Sequence, residues 1–475
     1  MKRQLSRLTR KMVYLSILVV SVISCDDLAI DTQGELAAEQ FYNSVADIQS
    51  GTLGVYSVLS DKLFANSENY CHFWAADDRT AATGSNKTFY LEYDQMEPLD
   101  TNPWQTNGWN QLWEIIGAAN TFLDNEEKMR GLVQGADEEI LDRSLGEVHY
   151  LRGLIYFELV RTWGTIPLIT SQADVTGQEP LASFEEIYAL IIEDLIFAKN
   201  NLGPTSVNGI YRANKWMAQA LLANVYLTTA GFPLKNEANY ALAAAEAKGV
   251  MDSGVYELEP SLNGIMGVQA NNLSEDGNTE AIIAFPANIG LDGWNAGNYQ
   301  AESILFGDKW VEIAFYNNFP EGTRKDFTFD ISETGQIFYS KEKFGEQDFG
   351  SVNKDINYLR YAELLLIYAE AQIRATGNTS DASALAALND VRERAGLTAV
   401  ASATWEDVVW EKAWENAGEW SRWYDIIRTE TLDEVNAIRD PYDNNLTPLG
   451  NGITEAFPWS PIPANDVSAN PNLQK

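Results

Sequence analysis

The residues best equipped for chemistry lie in one short stretch, Asn69-Tyr70-Cys71-His72-Phe73-Trp74-Ala75-Ala76-Asp77-Asp78-Arg79. Flat rings stand there beside an amide, carboxylates and a guanidinium. A sugar ring presents an apolar C–H face and a rim of hydroxyls, so its binding site needs that combination. Asn69, Tyr70, Trp74, Asp77, Asp78 and Arg79 are therefore candidate ligand-binding residues. Trp294, Asn295 and Tyr299 offer the same chemistry in a second stretch. The competing reading is that Phe73 and Trp74 plug their loop onto helices as packing residues.

Other chemistries find little material. The chain has two histidines and two cysteines. Cys71 and His72 are neighbours without a partner pair at zinc spacing. His149, between Val148 and Tyr150 in a helical stretch, reads as a satisfied packing residue. No Walker A loop, H-E-x-x-H, G-x-S-x-G or EF-hand loop is present. No catalytic residue, metal ligand or cofactor is expected. An acidic loop could hold a structural calcium, but no motif locates one. A hydrolase would need two carboxylates flanking a glycosidic bond, and Asp77 or Asp78 with another acid keeps that alternative open. The 68 acidic residues exceed the 33 basic ones, a formal charge of −35. Such a surface repels phosphate backbones, so no nucleic-acid partner is expected.

The basic stretch ending at Lys11 precedes the mostly apolar run Met12–Ser24 and then Cys25. That run is too short to span a bilayer and suits a secretory signal. Val22-Ile23-Ser24-Cys25 resembles a bacterial lipobox, with Cys25 as the lipidation site. The alternative is an ordinary signal peptide with an incidental cysteine. Removing residues 1–24 takes away five basic residues and leaves a charge of about −40. Acyl chains at ~0.8 kcal/mol per buried methylene would anchor the chain to a membrane.

The elements that must position these residues are mostly helices. Ser44 to Asp47 is an S-x-x-D start signal, and Ser183 with Glu186 reads as a capping box. Apolar steps of three and four predict helices around Trp109–Leu123, Leu141–Leu159, Ala213–Leu227, Glu237–Met251, Leu359–Arg374, Ala382–Arg394 and Trp405–Ile427. Gly377-Asn378-Thr379 is a hinge between antiparallel neighbours. Trp113, Trp163, Trp216, Trp414 and Trp423 fall on helices or their turns and read as core. Residues 64–108 and 254–350 read as long aromatic loops, a length usually tied to function.

Several segments together resemble the SusD/RagB family of Bacteroidetes nutrient-binding outer-membrane lipoproteins. They are Tyr156-Phe157-Glu158-Leu159-Val160-Arg161 with Trp163-Gly164 and Pro167-Leu168, then Arg360-Tyr361-Ala362-Glu363 and Tyr368-Ala369-Glu370-Ala371. Leu388-Asn389-Asp390-Val391-Arg392 with Arg394-Ala395-Gly396-Leu397 follows, then Glu419, Arg422-Trp423-Tyr424-Asp425 and Arg428-Thr429. Pro461-Ile462-Pro463 and Asn470-Pro471-Asn472-Leu473 close the series. Trp420 stands where the family commonly has glycine, and Lys412 where it often has arginine. Asp26 and Asp27 after the cysteine resemble the acidic surface-export tag of such lipoproteins.

The resemblance implies a mainly all-α fold, tetratricopeptide-like helix pairs forming a superhelical scaffold with a loop-rich ligand-binding face. It implies a signal peptide over 1–24 and one globular unit over 25–475. That unit divides into a helical part (25–253), a loop-rich insert (254–350) and a signature part (351–475). The implied partners are an oligosaccharide or polysaccharide and a TonB-dependent (SusC-like) outer-membrane transporter. The implied location is the outer membrane, lipid-anchored and exposed at the cell surface. The net charge favours a neutral, glucan-like glycan. The alternatives are a peptide-binding member of the family, an α-helical glycoside hydrolase, and an adaptor that binds only protein. Glu419, Arg422, Asp425 and Arg428 recur at helical spacing and read as structural ion pairs, not catalytic groups.

Overall fold

Helix α1 (Val45–Lys62) begins where the Ser44 side chain accepts the Asp47 amide, at the position its S-x-x-D signal predicts. The computed structural model describes residues 41–63, 72–81, 88–207, 211–262, 278–285, 309–333, 335–340, 347–348, 351–352, 356–439 and 459–475. Residues 44–475 form one compact unit. Cys25, Asn69, Tyr70, Cys71, Trp294, Asn295 and Tyr299 lie outside the described residues.

After α2 (Thr88–Asp94), α3 (Pro103–Leu123) starts with Pro103 at its first turn and Asn102 capping the Trp104 and Gln105 amides. A short α4 (Glu126–Arg130) leads into α5 (Ala136–Trp163), whose last turns are buried on every side. The Ser183–Glu186 capping box opens α6 (Phe184–Asn201). Asn214 caps α7 (Lys215–Ala230), and α8 (Asn239–Met251) follows. Each long helix packs on the next: α1 on α3, α3 on α5, α5 on α6, α6 on α7, and α7 on α8. Gly153 permits the close approach of α5 to α6, since a Cβ there would sit 3.3 Å from the Leu195 side chain. This is the tetratricopeptide-like stack of helix pairs that the periodicity and the resemblance imply.

The stack resumes in α11 (Tyr361–Thr376), which packs on α8, and continues through α12 (Ala382–Arg394) and α13 (Trp405–Glu415). Between α8 and α11 the chain builds α9 (Ile313–Asn318), α10 (Thr323–Thr328) and short strands. Strand β1 (Thr80–Ala81) pairs antiparallel with β3 (Lys309–Trp310), and β2 (Ala281–Phe285) with β8 (Ile356–Arg360). β4 (Phe329–Ile331) pairs with β5 (Ile337–Tyr339), and β6 (Gln347–Asp348) with β7 (Ser351–Val352). The stretches expected to be aromatic loops therefore contain packed structure. Val311, Phe315, Phe319, Phe329, Ile337 and Tyr339 form a cluster with Ala413 and Ala417 of the helical body. Trp74, Ala81, Tyr90 and Tyr93 form another.

The helix expected over Trp405–Ile427 is two helices, α13 and α14 (Arg422–Thr429), with a turn between them. Gly418 in that turn has φ +79°, and its amide donates to Asp78 Oδ2 at 2.9 Å. A Cβ on Gly418 would lie 2.8 Å from the Tyr339 ring, so the turn admits no side chain there. Short helices α15 (Leu432–Ile438) and α16 (Ala464–Ala469) complete the chain. Trp163 and Trp423 are buried as expected, whereas Trp113, Trp216 and Trp414 are half-buried. No described helix is long and apolar enough to cross a membrane.

Candidate functional site

The first candidate stretch is clamped inward at four of its candidate residues, Trp74, Asp77, Asp78 and Arg79. Trp74 is 1% exposed and its ring stacks on Tyr90 at 4.5 Å between centroids. It offers no open face to a sugar. Asp77 makes a two-pronged ion pair with Arg422, at 2.6 and 2.7 Å. Asp78 accepts from the Gly418 amide and from Arg79, at 2.9 and 3.3 Å, and the Arg79 guanidinium also reaches the Glu419 carbonyl at 3.0 Å. Asp77, Asp78 and Arg79 are all buried. Buried charges must be paired, and these pair with the protein instead of a ligand. His72 is buried as well, its Nε2 2.9 Å from the Tyr424 hydroxyl. Burial, then Arg161 and Arg79, hold its imidazole well below its ordinary range, so it stays neutral.

The buried stretch also holds together points where the chain enters and leaves neighbouring segments. Pairing of Ala81 with Lys309 brings together the point where the chain enters residues 82–87 and the point where it leaves residues 286–308. Asp94 ties this junction together. Its Oδ2 accepts from Thr80 Oγ1 at 3.0 Å and from the Ala81 amide at 3.4 Å. Its Oδ1 accepts from Arg439 at 3.1 Å, and Arg439 also pairs with Glu312. Arg439 directly precedes residues 440–458. One buried carboxylate thus joins the roots of three segments, including the one carrying Trp294, Asn295 and Tyr299. Burial pushes the Asp94 carboxyl up to about 6, against the pull of Arg439, the Ala81 amide and Thr80. Sequence spacing gave no sign of this hub, since Asp94 meets Arg439 across 345 positions.

Beneath it, the signature residues form an interlocked polar core. The Arg360 guanidinium bonds Glu419 at 2.9 Å, Glu280 at 2.5 Å, Asn416 at 2.9 Å and the Glu415 carbonyl at 3.2 Å. Arg428 takes Glu370 with both prongs at 2.6 Å and also pairs with Asp425. Lys412, in the common arginine position, reaches Glu363 at 2.9 Å and Asp425 at 3.1 Å. Arg161 lies between the Phe157 and Tyr424 rings, 3.9 and 3.8 Å from their centroids. Glu419, Arg422, Asp425 and Arg428 are accordingly scaffold groups. His149 contacts Asp194 at 2.6 Å, as a satisfied packing residue would. Among the described residues, no group of three His, Cys, Asp or Glu side chains is placed to hold a metal.

Comparison with known proteins matches both halves of this scaffold. A model described as the SusD family matches residues 309–475, and one described as starch-binding associating with outer membrane matches residues 30–227. The chain belongs to the SusD family. SusD-like protein P2 of Formosa agariphila is 26% identical, covering 96% of this chain and 97% of that protein. A SusD superfamily structure from Parabacteroides distasonis superposes with TM-score 0.75 at 23% identity, over 92% of this chain and 98% of the other. Surface glycan-binding protein A from Bacteroides uniformis gives TM-score 0.72 at 21% identity, over 90% and 98%. The SusD-like architecture therefore extends over nine tenths of the chain, with the Arg360 and Arg422 networks inside it.

Proposed function

We propose that this SusD-like chain is a cell-surface lipoprotein that captures oligosaccharides and passes them to a TonB-dependent, SusC-like outer-membrane transporter. The observation that carries the reading is the junction at Asp94. It holds Lys309, where the chain leaves residues 286–308, beside β1 on the helical body, and the proposal takes Trp294, Asn295 and Tyr299 from that stretch. Rings presented by loops on a rigid frame lose little freedom on binding. The starch-binding description of the amino-terminal family model and the glycan-binding neighbour from Bacteroides uniformis support a carbohydrate ligand. Asn69 and Tyr70, directly before the buried stretch, are proposed as further contacts. A charge of about −40 on the mature chain favours a neutral, glucan-like ligand over a polyuronate.

Binding without catalysis is the matching proposal. Asp77 and Asp78, the acids a hydrolase would have drawn on, are both held by protein partners. The family-model description supports outer-membrane association, and Cys25 is the anchor we propose. The test is a glycan array probed with a soluble form lacking residues 1–25, followed by overnight incubation with the selected glycan. Binding with no new reducing ends is expected. Failure to retain any glycan would overturn the capture reading, and release of reducing ends would make the protein a hydrolase.

A further inference from the structure

A cavity of about 610 Å³ opens between the end of α9, α12, the 395–404 connection and α13. It uses none of the loop segments assigned to capture above. Its size falls within the range of ligand sites, roughly 300–1,000 Å³. Trp410 and Trp414, one turn apart on α13, line it with ring centroids 6.0 Å apart and planes tilted by 31°. Val408, Val409 and Ala413 of the same helix are buried, while both tryptophans remain half-buried. Both rings pack partly against the Val311, Phe315 and Phe319 cluster, and the remainder of each lines the cavity. The Trp414 indole N–H is buried without a hydrogen-bond partner among the described residues.

The wall is held in place before any ligand arrives. The Arg422 guanidinium lies 4.6 Å over the Trp410 ring, and Arg422 is itself fixed by Asp77. Arg392 is locked by Glu411 at 2.7 Å and by the Thr398 carbonyl at 3.1 Å. Asp407, an exposed rim residue, is oriented by its capping contact to the Thr404 amide at 2.8 Å. Asn318 and Ser402 add an exposed amide and hydroxyl, and Leu388 adds an apolar wall. Two successive rings with hydroxyl-binding groups around them suit consecutive sugar units. The Arg392 charge is already matched by Glu411, so the site does not call for an anionic ligand.

We propose that this cavity is a second glycan subsite, taking a short run of neutral pyranose units from the same polymer as the loop site. The inference rests on the glycan-capture reading. A polymer held at two points on one chain gains avidity by roughly 10²–10⁴ over a single-site ligand when its length spans both sites. The cavity thus makes the protein selective for long chains over short ones.

Ser402→Trp and Asn318→Trp each place a bulky ring on an exposed rim position without emptying the core. Calorimetry with a short oligosaccharide and retardation in gels containing the polysaccharide read the result. Wild type should bind two oligosaccharides per chain, and each rim variant one. Polysaccharide affinity should fall about tenfold or more in the variants. One oligosaccharide per wild-type chain, with unchanged retardation in both variants, overturns the subsite and leaves loop capture standing. Wild type that binds no glycan overturns both. Binding of a proline-rich peptide that Ser402→Trp abolishes, with glycan stoichiometry unchanged, overturns the glycan assignment of the cavity.

Discussion

Asp77→Ala separates a clasp from a ligand contact. Its carboxylate meets Arg422 through two bonds of 2.6 and 2.7 Å, and both side chains are 3% exposed. Removing one partner of such a buried pair leaves an uncompensated charge, at a cost of about 3–5 kcal/mol. Burial opposes the charged Arg422 guanidinium, and Asp77, with Asp425 and Asp78, outweighs that and holds it above its ordinary range. Asp77→Ala removes the main group holding it up, yet an arginine's ordinary value lies so far above neutral pH that the abandoned cation stays charged. Arg422→Met strands Asp77 in the same way, so each single change should cost several kcal/mol. The double variant should cost clearly less than the sum, because the second change removes the stranded charge. A chain of this length unfolds with roughly 1 kcal/mol/K of entropy, so 4 kcal/mol moves a melting point only about 4 °C. Denaturant midpoints are therefore the better assay. A coupling energy of about 2 kcal/mol or more is expected, with glycan affinity preserved in whatever fraction remains folded. Additive effects, or Asp77→Ala protein that folds like wild type and loses its ligand, would refute the clasp and return Asp77 to the binding face.

Trp74→Ala should cost about 3–5 kcal/mol of stability, as for a buried aromatic, because its ring is sealed against Tyr90; a modest loss measured by urea titration would make it a loop platform after all. Asp94 has a folded value of about 6 against an ordinary 3.8, so its contribution is fully present below pH about 4 and is lost as pH rises through 6. Relative to Asp94→Asn, wild type should lose about 3 kcal/mol between pH 4 and pH 7.5, and a constant or opposite difference would contradict the buried hub. Cys25→Ala should release the protein from the membrane fraction and abolish labelling by a fatty-acid analogue, whereas continued membrane partitioning would place the anchor elsewhere.

Local signals were legible in the sequence, and long-range ones were not. The Ser183–Glu186 capping box and the bounds Ala382–Arg394 depend on residues a few positions apart, and both stand in the structure. The break between Glu415 and Arg422 depends on Arg360, which captures the Glu415 carbonyl and Glu419 from a distant segment. Helical periodicity carries no trace of that contact. The Trp74 stretch has the composition of a sugar site, and the same composition suits a buried clasp. What decides between them is Arg422, 345 positions away. Aromatic content in residues 254–350 reads as loop chemistry, yet Phe315, Phe319 and Phe329 spend it on a local core. Family motifs marked the scaffold correctly because their charged residues interlock with one another. They do not mark the Asp94 junction, whose partners lie outside them.

The most direct test of the account is isothermal titration of the glycan selected on the array against the soluble chain and its Trp294→Ala variant. A stacking ring contributing ~1–2 kcal/mol should, when removed, weaken binding roughly tenfold at an unchanged unfolding midpoint. Equal affinity in the two proteins would contradict capture by the stretch around Trp294.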